Sequence, residues 1–361
     1  MTIEFQPIEV PGARTYYGNA LPYGLHAKSS TGEVPPLAES VAAIREFSAS
    51  GKLQELLDRH GAVLIRGFGR PSAETFSALV AAAEEARGFH PFEQIGLAGK
   101  RTAKAEHVWT ANEGSSAKRF YQHNEYARYT RFPSTIHFYS VKKAPKGGLS
   151  PIAHTANVFD KVKAEIPELV EGVQKRGLAM KMLFRAPGNE GDDNQFNWAG
   201  EFSFGKELVP GDDEATQKRK VEKQVQRLTS DYKWTEDGSI ELTQHIPGIR
   251  RHPVNGRPLW FNGLLGRHGT TRDIGALDPP YIGRDNMTYL PSVYGDGTPI
   301  PREYLDKLID VVDKEELHLS LEEGDILLVD NYQVSHGRQP WEGERELLVS
   351  MWEGPTPIGA Y

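Results

Sequence analysis

Tyr121-Gln122-His123-Asn124-Glu125-Tyr126 carries an imidazole and a carboxylate two residues apart. On an extended backbone alternate side chains share a face, so His123 and Glu125 are expected to converge on one point. Far downstream, Asp330-Asn331-Tyr332-Gln333-Val334-Ser335-His336-Gly337-Arg338 places another histidine shortly after the apolar run Ile326-Leu327-Leu328-Val329. Two imidazoles and one carboxylate from distant segments form the set that binds a non-haem Fe(II) and leaves coordination positions open. Each piece is weak alone. An isolated H-x-E is most often a surface His near a surface Glu, and a lone histidine is more often packed or solvated than a ligand.

Outward from that stretch the pattern is of short strands with helices around them. Ser134-Thr135-Ile136-His137-Phe138-Tyr139-Ser140-Val141 is β-branched and aromatic and reads as a strong strand. Strands are also expected at Gly61-Ala62-Val63-Leu64-Ile65-Arg66-Gly67, at Leu149-Ser150-Pro151-Ile152-Ala153, over residues 178–184 and 317–321, in the Ile326 run, which should end before His336, and at Glu346-Leu347-Leu348-Val349-Ser350-Met351-Trp352. Residues 234–246 read as a hairpin turning at Glu236-Asp237-Gly238. Apolar residues at helical spacing predict two short helices in 37–60 and one each after Pro71-Ser72 and over 157–176, 214–228 and 301–313. Residues 1–36, rich in Gly, Pro and Tyr and without a period, read as an ordered coil, and 263–300 as mainly loop. Residues 186–213, rich in Gly, Asn, Asp and aromatics, suggest an insertion serving as a lid. The fold class that fits is mainly β with flanking helices, a double-sheet sandwich or jelly roll.

Bulk properties narrow the function classes. The chain has 361 residues, 38% hydrophobic and 25% charged, which describes an ordinary globular protein with enough chain for a sizeable core. A net charge of -7 and no long basic run argue against a nucleic-acid partner. No apolar run approaches the roughly 18 residues of a spanning helix, so no membrane partner is expected. The start, Met1-Thr2-Ile3-Glu4-Phe5, lacks the features of a secretory signal. There is no cysteine, which excludes disulfides, thiolate ligands and a Cys nucleophile, and fits a cytoplasmic setting. There is no G-x-G-x-x-G after a strand, no P-loop and no G-x-S-x-G, so nucleotide and serine-hydrolase chemistry lose support.

The pieces His123-Asn124-Glu125, Gly147-Gly148-Leu149-Ser150-Pro151, Trp260-Phe261-Asn262, Gly324-Asp325, Asp330-Asn331, His336-Gly337-Arg338 and Gly343-Glu344-Arg345 occur in an order that resembles the taurine dioxygenase/clavaminate synthase-like superfamily of Fe(II)/2-oxoglutarate oxygenases. The resemblance spans residues 55–353 and is specific through joint occurrence. It implies one oxygenase domain over residues 1–361 with a double-stranded β-helix core. It implies Fe(II) held by His123, Glu125 and His336, with 2-oxoglutarate and O₂ as co-substrates. It puts Arg345 on the distal carboxylate of 2-oxoglutarate, where a planar fork suits bidentate recognition. Ser150 falls where the family has a Thr hydroxyl aiding that grip. Arg338 is the rival clamp, ranked lower because it would crowd the metal. Tyr121, Tyr126, Arg128 and the aromatic stretch 184–198 are candidate contacts to a small-molecule substrate, Trp260 and Asn262 are read as scaffold, and His137 as a core or supporting residue.

Two departures refine the resemblance. The carboxylate ligand is Glu, as in the clavaminate synthase-like branch, which is similar to enzymes acting on amino acids and their derivatives. The positions after Arg345 are Glu346, Leu347, Leu348, Val349 and Ser350, without the second arginine that binds a sulfonate in taurine dioxygenase-type members. A halogenase is disfavoured because Glu125 fills the room a chloride needs. The expected activity is oxidation of an unactivated C–H bond in a small polar, amino-acid-like metabolite: hydroxylation by default, with desaturation or ring closure as variants. The rivals are an oxygenase for a sulfonate or other organic acid, a binding-only β-sandwich, and a two-His, one-Glu zinc hydrolase, which would show a nearby general base and no arginine clamp.

Overall fold

The computed structural model describes residues 2–96, 101–189, 197–356 and 358–361. Its centre is a nine-stranded sheet in which Thr135–Lys142 lies between Ile326–Asp330 and Glu346–Glu353, both antiparallel to it. Beyond Ile326–Asp330 the sheet continues through Ala62–Arg66, Tyr23–Ser29 and Ile3–Ile8; beyond Glu346–Glu353 it continues through Val108–Thr110 and Ala103–Ala105. A four-stranded sheet runs Leu317–Leu319, Ser150–His154, Val334–Arg338, Phe120–His123, and another contains Leu178–Phe184 and Ile240–Ile246.

The period of two in each strand decides which core a side chain joins. Ile136, Phe138, Leu327, Val329, Val349 and Met351 pack with Ile152 and Val334 of the smaller sheet and with Met182 and Leu242 of the third. Their neighbours Tyr139, Ile326, Leu328, Leu348 and Trp352 point the other way, against Phe76, Leu79 and Val80 of helix Ala73–Glu85 and Ile44, Leu53 and Leu57 of helices Leu37–Ala49 and Lys52–His60. Both faces are covered, which is why these strands read as continuous apolar runs. A further core lies beside the smaller sheet, among helices Thr155–Glu165, Pro167–Arg176, Leu264–Ile274 and Arg302–Glu315. No described helix is long and apolar enough to cross a membrane.

Several expectations are corrected. Residues 1–36 are not a coil. Ile3–Ile8 and Tyr23–Ser29 extend the large sheet, and Tyr23–Ser29 runs parallel to Ala62–Arg66. Their Gly and Pro content concealed this; Pro7 is tolerated because its strand is the edge of the sheet. The helix expected over 157–176 is two helices that meet at Ile166, since a residue before proline avoids the helical region and Pro167 starts the second. Residues 263–300 contain helix Leu264–Ile274, hidden by Gly266 and Gly269, which break the apolar period. Gly269 is required there, because a Cβ would lie 2.7 Å from the Tyr121 ring. Of residues 186–213, expected as a lid, 190–196 fall outside the described residues; in the rest of the stretch Trp198 and Phe204 are buried in the main core.

Candidate metal centre

His123 ends strand Phe120–His123, and His336 lies in strand Val334–Arg338. The two strands pair with His123 opposite His336, so the imidazoles are cross-strand neighbours with ring centroids 4.3 Å apart. Glu125 does not continue the strand as the spacing argument assumed. It sits in the turn that follows, and Tyr126 behind it has φ 56°. Asn331 makes that turn. Its Oδ1 accepts from the Glu125 N–H at 2.8 Å, its Nδ2 donates to the Glu125 and Pro133 carbonyls, and its own carbonyl accepts from Asn124 Nδ2 at 2.6 Å.

The clamp brings Glu125 Oε2 to 3.8 Å from His123 Nε2 and 3.6 Å from His336 Nε2. These three groups are the one cluster of at least three potential metal ligands among the described residues. The separations are too long for hydrogen bonds and suit a shared cation. His123 Nδ1 lies 2.9 Å from the Tyr121 carbonyl; donation there leaves Nε2 with its lone pair free. Burial first, and His336 second, push the His123 imidazole down to about 3 against the pull of Glu125, so it is neutral, as a ligand must be. Burial alone would raise the Glu125 carboxyl. Arg101 and the two imidazoles outweigh it and hold the group well below the ordinary carboxylate range. Two imidazoles and one carboxylate fit a ferrous ion.

Arg101 was not singled out by the sequence reading. Its Nη2 donates to Glu125 Oε1 at 2.7 Å, which occupies one carboxylate oxygen and leaves Oε2 toward the imidazoles. It lies in the stretch 90–114, where no local pattern marks a site.

Arg345 precedes the last strand of the large sheet. Its Nη1 donates to Asn112 Oδ1 at 2.7 Å, and Asn112 Nδ2 returns a bond to the Arg345 carbonyl. No carboxylate pairs with it among the described residues. Burial first, and Arg338 second, push its guanidinium down to about 10. A Cβ on Gly148 (φ +69°) would lie 3.1 Å from Arg345 Cδ, so glycine is needed for this approach. Ser150, two residues on, opens strand Ser150–His154. Arg338 is engaged elsewhere, its Nη1 on the Glu113 carbonyl and its guanidinium 4.8 Å from the Trp341 ring centre.

The structure ties Tyr121 away from the ligands: its hydroxyl donates to Asp273 at 2.9 Å and accepts from Arg272, and its ring belongs to the core among the helices. Tyr126 is buried between Phe92 and Tyr129, and its hydroxyl has no partner among the described residues. Arg128 lies over the Tyr129 ring at 5.4 Å. His137 supports a buried carboxylate, Glu84, 3.0 Å away. Asn262 is scaffold: it accepts from the Leu264 N–H at the start of helix Leu264–Ile274.

Over residues 36–352 the sequence matches the family described as "Taurine catabolism dioxygenase TauD, TfdA family". The chain belongs to the TauD, TfdA family. Among its relatives within reach of sequence, the dapdiamide synthesis protein DdaC of Enterobacter agglomerans is 32% identical over 88% of this chain and 90% of its own length. A clavaminate synthase-like protein of Arabidopsis thaliana is 27% identical over 95% of this chain and 96% of its own. A putative alpha-ketoglutarate-dependent taurine dioxygenase from Burkholderia xenovorans superposes with a TM-score of 0.49 at 14% identity, covering 99% of this chain and 95% of that one. As a TauD, TfdA member with an intact His–Glu–His set, the chain is an Fe(II)/2-oxoglutarate-dependent dioxygenase.

Proposed function

We propose that this dioxygenase oxidises an unactivated C–H bond of a small polar, amino-acid-like metabolite, by hydroxylation unless the substrate directs desaturation or ring closure. The observation that carries the reading is the His123–Glu125–His336 cluster together with Arg345, a guanidinium that has no carboxylate partner among the described residues. When bound, iron and 2-oxoglutarate supply an oxidant derived from O₂ that is strong enough to break a C–H bond.

The chain's own residues set the conditions for that chemistry. His123, Glu125 and His336 offer three donors on one side. Arg345, oriented by Asn112, receives the distal carboxylate of 2-oxoglutarate as a two-pronged donor, and Ser150 adds a hydroxyl to the same group. Arg101 keeps Glu125 ionised and presenting one oxygen. Phe138, 4.9 Å from the His336 ring, and Phe120, 4.8 Å from the His123 ring, limit water around the ligands. We read the two facing sheets as a double-stranded β-helix and residues 1–361 as one oxygenase domain. The names of the two relatives, dapdiamide synthesis and clavaminate synthase-like, support a substrate from small-metabolite synthesis. The absence of a second arginine in residues 346–350 disfavours a sulfonate.

Anaerobic titration of the protein with Fe(II) and 2-oxoglutarate, followed by visible absorption, tests the reading. A weak charge-transfer band is expected from iron chelated by the 2-oxo acid. His336→Ala should abolish it, and Arg345→Ala should shift its midpoint to higher 2-oxoglutarate concentration. Folded, iron-loaded wild type without the band would overturn the reading in favour of a metal-binding or hydrolytic protein.

A further inference from the structure

Several arginines enclosed in this molecule have a carboxylate. Arg87 has Glu84, Arg66 has Asp325, Arg101 has Glu125, and Arg119 has Asp313 and Glu316. Among the described residues Arg267 and Arg128 do not. Arg267 lies in the first turns of helix Leu264–Ile274. Its Nη2 donates to the Leu290 carbonyl at 2.9 Å, its guanidinium lies 5.0 Å from the Tyr289 ring centre, and its buried Nε has no partner among the described residues. Arg128 has the Tyr129 ring beside its guanidinium. Among the described residues Arg250, Arg338 and Arg345 also pair with no carboxylate, but Arg250 lies over the Phe132 and Phe261 rings, Arg338 bonds the Glu113 carbonyl and Arg345 bonds Asn112.

The two cations are near each other and near the metal ligands. Burial first, and Arg128 second, push the Arg267 guanidinium down to about 9. The Tyr129 phenol, raised chiefly by burial, also feels Arg128, Arg267 and Glu125, and Arg128 lies 5.4 Å from its ring centre. The backbones agree. A Cβ on Gly263 would lie 3.1 Å from Arg128 Cβ, and one on Gly266, next to Arg267, would lie 3.6 Å from His123 Cβ. Two like charges held together in an enclosed place, neither paired with a carboxylate among the described residues, are unfavourable unless an anion joins them.

We propose that Arg267 and Arg128 form a second anion subsite beside the metal centre, which takes a carboxylate carried by the substrate. The proposal rests on the functional reading above and narrows it: the oxidised metabolite bears a free acidic group, held by guanidiniums other than the one that holds 2-oxoglutarate. Anchoring the carboxylate on a helix packed against His123 fixes the distance from that group to the C–H bond that reacts. Arg267 and Arg128 are thus specificity residues for acid over amide.

The test uses anaerobic protein with Fe(II) and saturating 2-oxoglutarate, so that Arg345 is occupied. Thermal melts are compared with acetate, methanesulfonate or acetamide added at fixed ionic strength. Acetate at about ten times its dissociation constant should raise the melting temperature by about 2 °C, and acetamide should not. Arg267→Gln and Arg128→Gln should each remain folded and lose the increment. An acetate increment that persists in both variants, or none in wild type, overturns the proposal. A larger increment from methanesulfonate overturns the assignment to a carboxylate. The charge-transfer band is read on the same samples: band present without an acetate effect sinks the subsite alone, whereas wild type without the band sinks the oxygenase reading.

Discussion

Glu84 and Glu125 are both buried carboxylates paired with an arginine and facing histidine, on opposite sides of the large sheet. His137 and Phe138, adjacent on strand Thr135–Lys142, reach one each: His137 Nε2 lies 3.0 Å from Glu84, and the Phe138 ring lies 4.9 Å from that of His336. Around Glu84 both carboxylate oxygens are taken. Arg87 Nη2 donates to both carboxylate oxygens at 2.7 Å, Thr135 adds a bond, and His137 Nδ1 accepts from the Val329 N–H, which leaves the Nε2 proton facing Glu84. Around Glu125 the set is open. Arg101 holds one oxygen, and the other faces two imidazole nitrogens at distances no proton bridges. The same residue types make a structural pin in one place and a metal centre in the other. The difference is whether the donors and acceptors complete one another or converge on a gap.

The comparison breaks most sharply by neutralising each carboxylate. Glu125→Gln should reduce substrate-stimulated succinate formation to background while the protein stays folded. Glu84→Gln should leave the chemistry of the folded fraction intact and cost about 3–5 kcal/mol in denaturant unfolding, because Arg87 is left buried without its partner. Loss of iron binding in Glu84→Gln under conditions where it is folded would erase the distinction.

A smaller effect sharpens the role of Arg101. If it shapes the ligand, Arg101→Gln should weaken Fe(II) binding about 10- to 100-fold in equilibrium dialysis, with Arg101→Lys recovering part of the loss and the melting temperature nearly unchanged. Equal iron affinity in wild type and Arg101→Gln would make Arg101 a bystander.

The smallest expected effect is a dependence on pH. Burial opposes ionisation of Glu84, but Arg87 and His137 outweigh it and bring the carboxyl down to about 2 from an ordinary 4.5. A depressed carboxyl contributes stability above its unfolded value and loses it as the proton returns. Wild-type stability should therefore fall between pH 4.5 and pH 2, and Glu84→Gln should show a shallower slope across that window. Parallel slopes in urea melts would count against the pin.

The legible parts of the chain were those whose meaning is local. Thr135–Lys142, Ile326–Asp330 and Glu346–Glu353 announce themselves because β-branched and apolar residues pack between covered faces whatever the order of strands. Helix Leu264–Ile274 and the N-terminal strands did not. The glycines of the first let its backbone approach Tyr121 and His123, and the second rely on a neighbour, Ala62–Arg66, that no local period reveals. At the site, His123, Glu125, His336 and Arg345 were visible as residue types in order. Arg101, Asn112 and Arg267 were not, since nothing beside them in the chain shows what they face.

By itself the sequence determined which donors exist: two imidazoles, one glutamate and no thiolate. Donor identity is a covalent fact of the chain, and it limits the metal and its chemistry. Tertiary structure alone decided that His336 pairs in register with His123, that Glu125 leaves the strand in a turn held by Asn331, and that Arg101 takes one of its oxygens. Those outcomes depend on contacts between residues far apart in the chain. Such contacts form only when the sheets close on a common core, and no window of sequence contains both partners.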